Sequence, residues 1–184
     1  MGGAVAAAAA RHATLAPVVK GLCMVDIVEG TAMASLKFMN SYLAARPARF
    51  CSLEDGVRYS VSAGGMVSNL QSARLSVPPQ LVAVEGGGFG WRTDLASTEP
   101  HWHGWFDGLN ASFLTARCPK MLVLAGHDRL DKDMTFAHMA GKFQLELLPA
   151  CGHCVQEENP PQVARYLAAF ARRHMAVIPV LKRF

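Results

Sequence analysis

Three short stretches of the chain are apolar enough to be strands buried in a sheet. "LCMVDIV" (Leu22 to Val28) is a nearly unbroken run interrupted by Asp26, "MLVLA" (Met121 to Ala125) is unbroken, and Phe143, Leu145 and Leu147 alternate with polar residues. Continuous runs of this length suit strands covered on both faces, as in a parallel sheet. Between them the apolar period changes to that of a helix. Met33, Leu36, Met39, Tyr42 and Leu43 recur at helical spacing from Thr31 up to the stop at Pro47. Ser52 with Asp55 three residues on marks a second helix start. "NLQSARLSVPP" is a shorter helical piece ended by a proline pair, and "VEGGGFGWRTDL" reads as a glycine-rich loop leading to a short extended segment. Trp102, Trp105, Phe106, Leu109 and Phe113 form one helical stripe, and Pro160 opens a last helix that carries Val163, Tyr166, Leu167 and Phe170 inward.

Strand and helix in alternation predict an α/β fold with a parallel sheet. There is no internal repeat. The helices between about residues 31 and 114 lie outside the alternation, and read as a lid-like insertion over one partial domain spanning residues 1–184. The first helix begins "MGGAVAAAAARHA". Ala4 to Ala13 is strong helix-forming sequence, whereas a glycine pair is a poor start for a free helix. Gly2-Gly3 leading into a helix is what a tight strand-to-helix turn requires. The alanine run is half the length of a membrane span, and its first charge, Arg11, follows it, unlike a secretion signal.

Composition narrows the function classes. The chain has 184 residues, 51% of them hydrophobic, and a formal charge of +4 spread along its length. Its basic pairs, Arg172-Arg173 and Lys182-Arg183, are too thin for a nucleic-acid surface. Five cysteines without a secretion signal point to reduced thiols, and so to the cytoplasm or nucleus.

In an open parallel sheet, reactive groups sit just past the carboxyl ends of the strands. Asp26 ends the first strand, Asp128 follows the second in "LVLAGHDRLD", and His153 follows the third in "LLPACGHCVQE". A histidine there, freed to turn by Gly152, suits a general base oriented by a neighbouring acid. Either aspartate could serve. Cys151 and Cys154 make a C-x-x-C around His153, but a zinc site needs a second ligand pair. His101 and His103 would have to supply it, and the start of an aromatic helix explains them without a metal.

The order nucleophile, acid, histidine is that of α/β-hydrolases, whose serine sits on a strained turn opening a helix. Met1-Gly2-Gly3 fits the second half of that turn. The segments "GLCMVDIVEGTAM", "RPARFCSLEDGVRYSV", "NLQSARLSV", "WRTDLASTEPHWHGWFDGL", "LAGHDRLDKDMT", "GKFQLELLPACGHCVQEENPPQVA" and "FARRH" together resemble the protein phosphatase methylesterase family, in order and over nearly the whole chain. The resemblance implies an α/β-hydrolase fold, no cofactor or metal, and removal of the methyl ester from the C-terminal leucine of the protein phosphatase 2A catalytic subunit. It implies Asp26 as the acid and His153 as the base, with Asp128 as the alternative acid, and the backbone N–H of Met1 as one oxyanion donor. The family's serine lies in "GHSMGG", one residue before Met1. The chain is therefore expected to be a truncated form, inactive alone. The alternative is a phosphatase-binding fragment without activity. A first strand lacking its upstream neighbour is expected to leave an open sheet edge prone to self-association. The "PPQLVAVEGGGFGW" segment is shorter than the insert many members carry there.

Overall fold

The computed structural model describes residues 1–62 and 67–174. Helix α1 (Gly2–Arg11) leads to strand β1 (Leu22–Val25). The α2 helix (Glu29–Ala44), α3 (Leu53–Val61) and α4 (Leu70–Ser76) follow, then a hairpin of β2 (Leu81–Ala83) and β3 (Phe89–Trp91). After α5 (Glu99–Phe106) and α6 (Leu109–Thr115) the chain forms β4 (Lys120–Leu124), α7 (Lys132–Met139) and β5 (Gln144–Leu147). It ends in α8 (Val155–Glu158) and α9 (Pro160–His174).

Strands β1, β4 and β5 form a parallel sheet with β4 in the middle, Leu22 opposite Lys120 and Met121 opposite Gln144. Alternation along β4 explains its unbroken apolar run. Leu122 and Leu124 face one core with Leu22, Met24, Leu109, Phe113, Met134 and the alanines Ala7 and Ala10 of α1. Met121 and Val123 face the other, with Val155, Val163 and Phe170. Both faces of β4 are thus occupied, and each fully buried Leu, Val or Met contributes about 1.5–3 kcal/mol. Phe113 and Phe143 meet edge-on, with ring centroids 5.4 Å apart.

A third core lies outside the sheet. Phe50, Val57, Val67, Ala73, Val77 and Leu81 bury one another between α3, α4 and the hairpin. Phe50 pairs by both backbone bonds with Phe89, and its ring stacks with Tyr59 and Trp91. The expected lid-like segment therefore has a small core of its own.

Several expectations are corrected. The helix beginning at residue 2 takes both glycines into its first turn, and a side chain at Gly3 would meet the Ile27 Cγ2 methyl at 2.7 Å. The supposed single stripe from Trp102 to Phe113 is two helices, broken at Gly108, whose φ of +72° favours glycine. Trp102 faces away from the sheet core, while Leu109 and Phe113 enter it. The extended segment after the glycine loop has a partner, β2, whose three residues are too short a run to stand out. Leu167 points outward from α9, 41% exposed, because Val163, Tyr166 and Phe170 already fill the face toward the sheet. The helix after β1 begins at Glu29, two residues before Thr31, the expected start.

That early start has a cause. The Glu29 carboxylate accepts bonds from the Gly108 and Asn110 backbone N–H groups, at 3.2 and 2.9 Å. Asn110 returns one, its Oδ1 accepting from the Glu29 N–H, and its Nδ2 donates to Asp131 Oδ2 at 2.7 Å. Asp131 also accepts from the Gly30 N–H and caps α7 through the Met134 N–H. One buried asparagine thereby joins the starts of α2, α6 and α7. Asn110→Ala is expected to destabilise the chain by about 1–3 kcal/mol, because it leaves the Glu29 N–H without its acceptor and removes one of the two donors to Asp131 Oδ2; chemical denaturation of both forms measures it. Among the described residues β1 is paired on one side only. Such an edge recruits other strands, so sedimentation of the 184-residue chain is expected to show self-association, and a dilute-stable monomer would contradict this.

Candidate active site

Parallel pairing continues one residue past β1, where the Asp26 N–H donates to the Val123 carbonyl at 2.7 Å. The backbone then turns sharply: Asp26 has φ +49°, the one described residue other than glycine with a positive φ. This left-handed conformation is unfavourable for most L-residues and tolerated best by Asn and Asp. It drives the carboxylate back between the ends of β1 and β4. The side chain is completely buried, and three donors satisfy it. The Ala125 N–H donates to Oδ1 at 2.9 Å. His153 Nδ1 and Arg129 Nη1 reach Oδ2 at 2.9 and 2.8 Å. A buried carboxylate so partnered is stable where a bare one is not.

An ionised carboxylate only accepts hydrogen bonds, so Nδ1 of His153 carries the proton in this pair and Nε2 presents its lone pair outward. His153 belongs to the loop between β5 and α8, and its side chain is about half exposed. The loop is held at both ends. Cys151 N–H donates to the Leu148 carbonyl, and α8 is tied to α4 and its approach by Glu157, which accepts from Ser76 Oγ, and Glu158, which accepts from the Ser68 N–H and hydroxyl.

Asp26, His153 and Met1 line one cavity of about 660 Å³. The volume is that of a site for a small organic ligand or a few peptide residues. Leu36, Met39, Trp102, Trp105 and Phe106 form its apolar wall; Arg46, Arg129 and Glu157 add charge. The stripe of α2 faces this space, so the helix has no fully buried residue. Burial lowers the pKa of the Met1 amine, so the position disfavours a charged nitrogen. A second cavity, about 760 Å³, lies at the amino ends of the strands beside Arg11, Pro17, Val19 and Arg117; none of the described residues that line it carries a carboxylate, thiol or imidazole.

Asp128, the alternative acid, is exposed and turned back on Gly126, where an added Cβ would meet its Oδ1 at 2.4 Å. It makes no bond to His153 among the described residues. The partner from that loop is its neighbour Arg129, which the sequence reading passed over; a cation three residues beyond Gly126, just after the strand, was the available signal. His101 and His103 are exposed on α5, away from the C-x-x-C. Among the described residues no three His, Cys, Asp or Glu side chains converge as a metal site, and no helix is long and apolar enough to cross a membrane. Burial, then Glu157, Glu158 and Asp26, push the Cys154 thiol up to about 11; burial, then Glu158 and Asp26, also raise Cys151. Neither thiol is thereby equipped as a nucleophile.

The fold and this site at the strand ends define a class: residues 1–166 match the Alpha/beta hydrolase family, and the chain belongs to it. Within that class the similarity is to phosphatase methylesterases. The chain is 40% identical over 98% of its length to "Protein phosphatase methylesterase 1" of Rattus norvegicus, and 44% identical over 97% to "Probable protein phosphatase methylesterase 1" of Caenorhabditis elegans. It is 43% identical over 97% of its length to the Schizosaccharomyces pombe methylesterase. The chain covers 57%, 49% and 52% of those proteins, about half the length of the curated relatives it matches. Among solved structures, E-2-(acetamidomethylene)succinate hydrolase superposes with a TM-score of 0.70 over 91% of this chain and 62% of its own, at 15% identity. A Mycobacterium tuberculosis esterase gives 0.62 over 91% and 59%, at 19%. These two establish the fold.

The thiol chemistry is directly testable. At pH 8 a thiol with a pKa near 11 is about one part in a thousand thiolate. Iodoacetamide is therefore expected to modify exposed Cys51 well before Cys154, with the Cys154 rate climbing tenfold per pH unit up to about pH 11; peptide mass mapping follows both.

Proposed function

We propose that the chain carries the acid, the base and one oxyanion donor of a protein methylesterase that demethylates the C-terminal leucine of the protein phosphatase 2A catalytic subunit. The observation that carries this reading is the buried Asp26 bonded at 2.9 Å to Nδ1 of His153, at the mouth of a largely apolar cavity. The names of the methylesterase relatives favour a protein phosphatase methyl ester as the substrate class, and the wall of Leu36, Met39, Trp102, Trp105 and Phe106 suits an apolar side chain such as leucine.

In this reaction a seryl hydroxyl joined to Met1, as in the Gly-His-Ser-Met-Gly-Gly pattern, attacks the ester carbonyl carbon while His153 Nε2 takes its proton. The tetrahedral oxyanion is met by the backbone N–H at residue 1, at the start of α1, whose first turn has no acidic side chain to oppose it. Asp26 holds the imidazolium and fixes its tautomer. His153 then protonates the departing methoxide, which leaves as methanol. Water, deprotonated by His153, releases the free carboxylate and regenerates the hydroxyl. Arg129 is a positioning residue: it occupies the rest of Oδ2 and keeps the carboxylate from rotating away from His153. Reduced thiols in all five cysteines fit a cytoplasmic or nuclear setting.

Methanol release from a leucine methyl-ester peptide tests the reading. The 184-residue chain is expected to be no faster than its Asp26→Ala form. Joined at Met1 to the upstream half of a methylesterase relative ending in Gly-His-Ser, it is expected to turn over, and His153→Ala then to lose about 10⁴–10⁶ in kcat. Turnover by the 184-residue chain that His153→Ala abolishes would reveal a different nucleophile. An inactive joined chain that still binds the phosphatase would favour the binding-fragment reading.

A further inference from the structure

Every charged side chain lining the 660 Å³ cavity has a partner except one. Asp26 is bonded to Arg129 and His153, and Glu157 accepts from Ser76. Arg46, just past the end of α2, makes no ion pair or hydrogen bond among the described residues. It is nevertheless half-buried. Its guanidinium carbon lies 3.6 Å above the centre of the Trp91 ring. That ring is itself fixed, because Trp91 Nε1 donates to the Pro47 carbonyl at 2.8 Å and its edge packs on Phe50. Stacking occupies the flat face of a guanidinium and leaves its edge donors free, the arrangement that suits a carboxylate.

The position is close to the reacting groups. Tyr42, one turn earlier on α2, has its phenol pKa raised by burial, lowered by the Arg46 charge, and raised by Tyr59 and Cys154. Arg46 lines the same cavity as Asp26, His153 and Cys154. Among the described residues Arg46 is thus a cation with no ion pair, stacked on the wall of the cavity with its edge donors free.

We propose that Arg46, stacked on Trp91, is a carboxylate-binding subsite that takes an aspartate or glutamate side chain of the substrate peptide, upstream of the esterified C-terminal residue. This rests on the reading of the cavity as a peptide methyl-ester site. The apolar wall accepts the terminal side chain, and Arg46 reads an acidic residue farther back, adding register and selectivity.

The test is binding to the 184-residue chain, which requires no turnover. Short alanine-based peptides ending in leucine methyl ester carry Asp at successive positions before the leucine, each matched by the Asn peptide, and calorimetry gives their affinities. One register is expected to bind about tenfold more tightly with Asp than with Asn, the size of one charge-assisted pair. Added salt should erode that preference, Arg46→Gln abolish it and Arg46→Lys keep part of it, while the Asn peptides bind all forms alike. Should Arg46→Gln not fold, Arg46→Lys and the salt dependence of the unsubstituted chain decide. Asp and Asn peptides binding equally in every register, or a preference that survives Arg46→Gln, overturns the subsite and leaves the methylesterase reading standing. No binding by any methyl-ester peptide overturns both.

Discussion

The carboxylate of Asp26 is the point on which the rest of the site turns. It is a charge placed in the interior at the end of a hydrophobic strand, and it is tolerable only because donors from three directions converge on it. Ala125 comes from the neighbouring strand, Arg129 from the loop after that strand, and His153 from the loop after the next. Each loop of the sheet end is thereby aimed at one anion. The left-handed φ of Asp26 is the strain the chain accepts to deliver it there.

Around that anion the structure uses polar ties rather than core contacts to fix its movable parts. Asn110 and Asp131 join the starts of three helices beneath the lid. Glu157 and Glu158 join the histidine loop to the approach and end of α4. Such bonds are directional, so they set angles that apolar packing alone leaves loose. The small core of Phe50, Val57, Val77 and Leu81 holds α3, α4 and the hairpin together, while Glu157 and Glu158 tie α4 to the histidine loop.

Much of this was legible in the sequence, for a physical reason. Buried strands of a parallel sheet must be continuously apolar, so Leu22 to Val25 and Met121 to Leu124 stand out, and a charged residue just past such a run is conspicuous. Asp26 and His153 were visible on those grounds. Asp128 looked equivalent in one dimension; only the turn after Gly126 sends it to solvent and its neighbour Arg129 inward. Long-range partners such as Arg46 and Asn110 have no local signature, because their roles come from residues tens of positions away. The helical stripe from Trp102 to Phe113 misled because a glycine with positive φ can redirect a helix without breaking its apolar spacing. The stripe on α2 raised the opposite difficulty: Leu36, Met39 and Tyr42 have the spacing of core residues, but they border a cavity.

That last feature has a mechanical meaning. A helix of sixteen residues with nothing fully buried leaves part of its own stripe without full apolar cover. Whatever enters the cavity supplies it, and each side chain of the guest that covers Leu36 or Met39 removes greasy surface from water. The guest is then a removable piece of the lid's interior. By linkage, occupancy of the site then adds to the stability of α2 and of the elements that border the cavity.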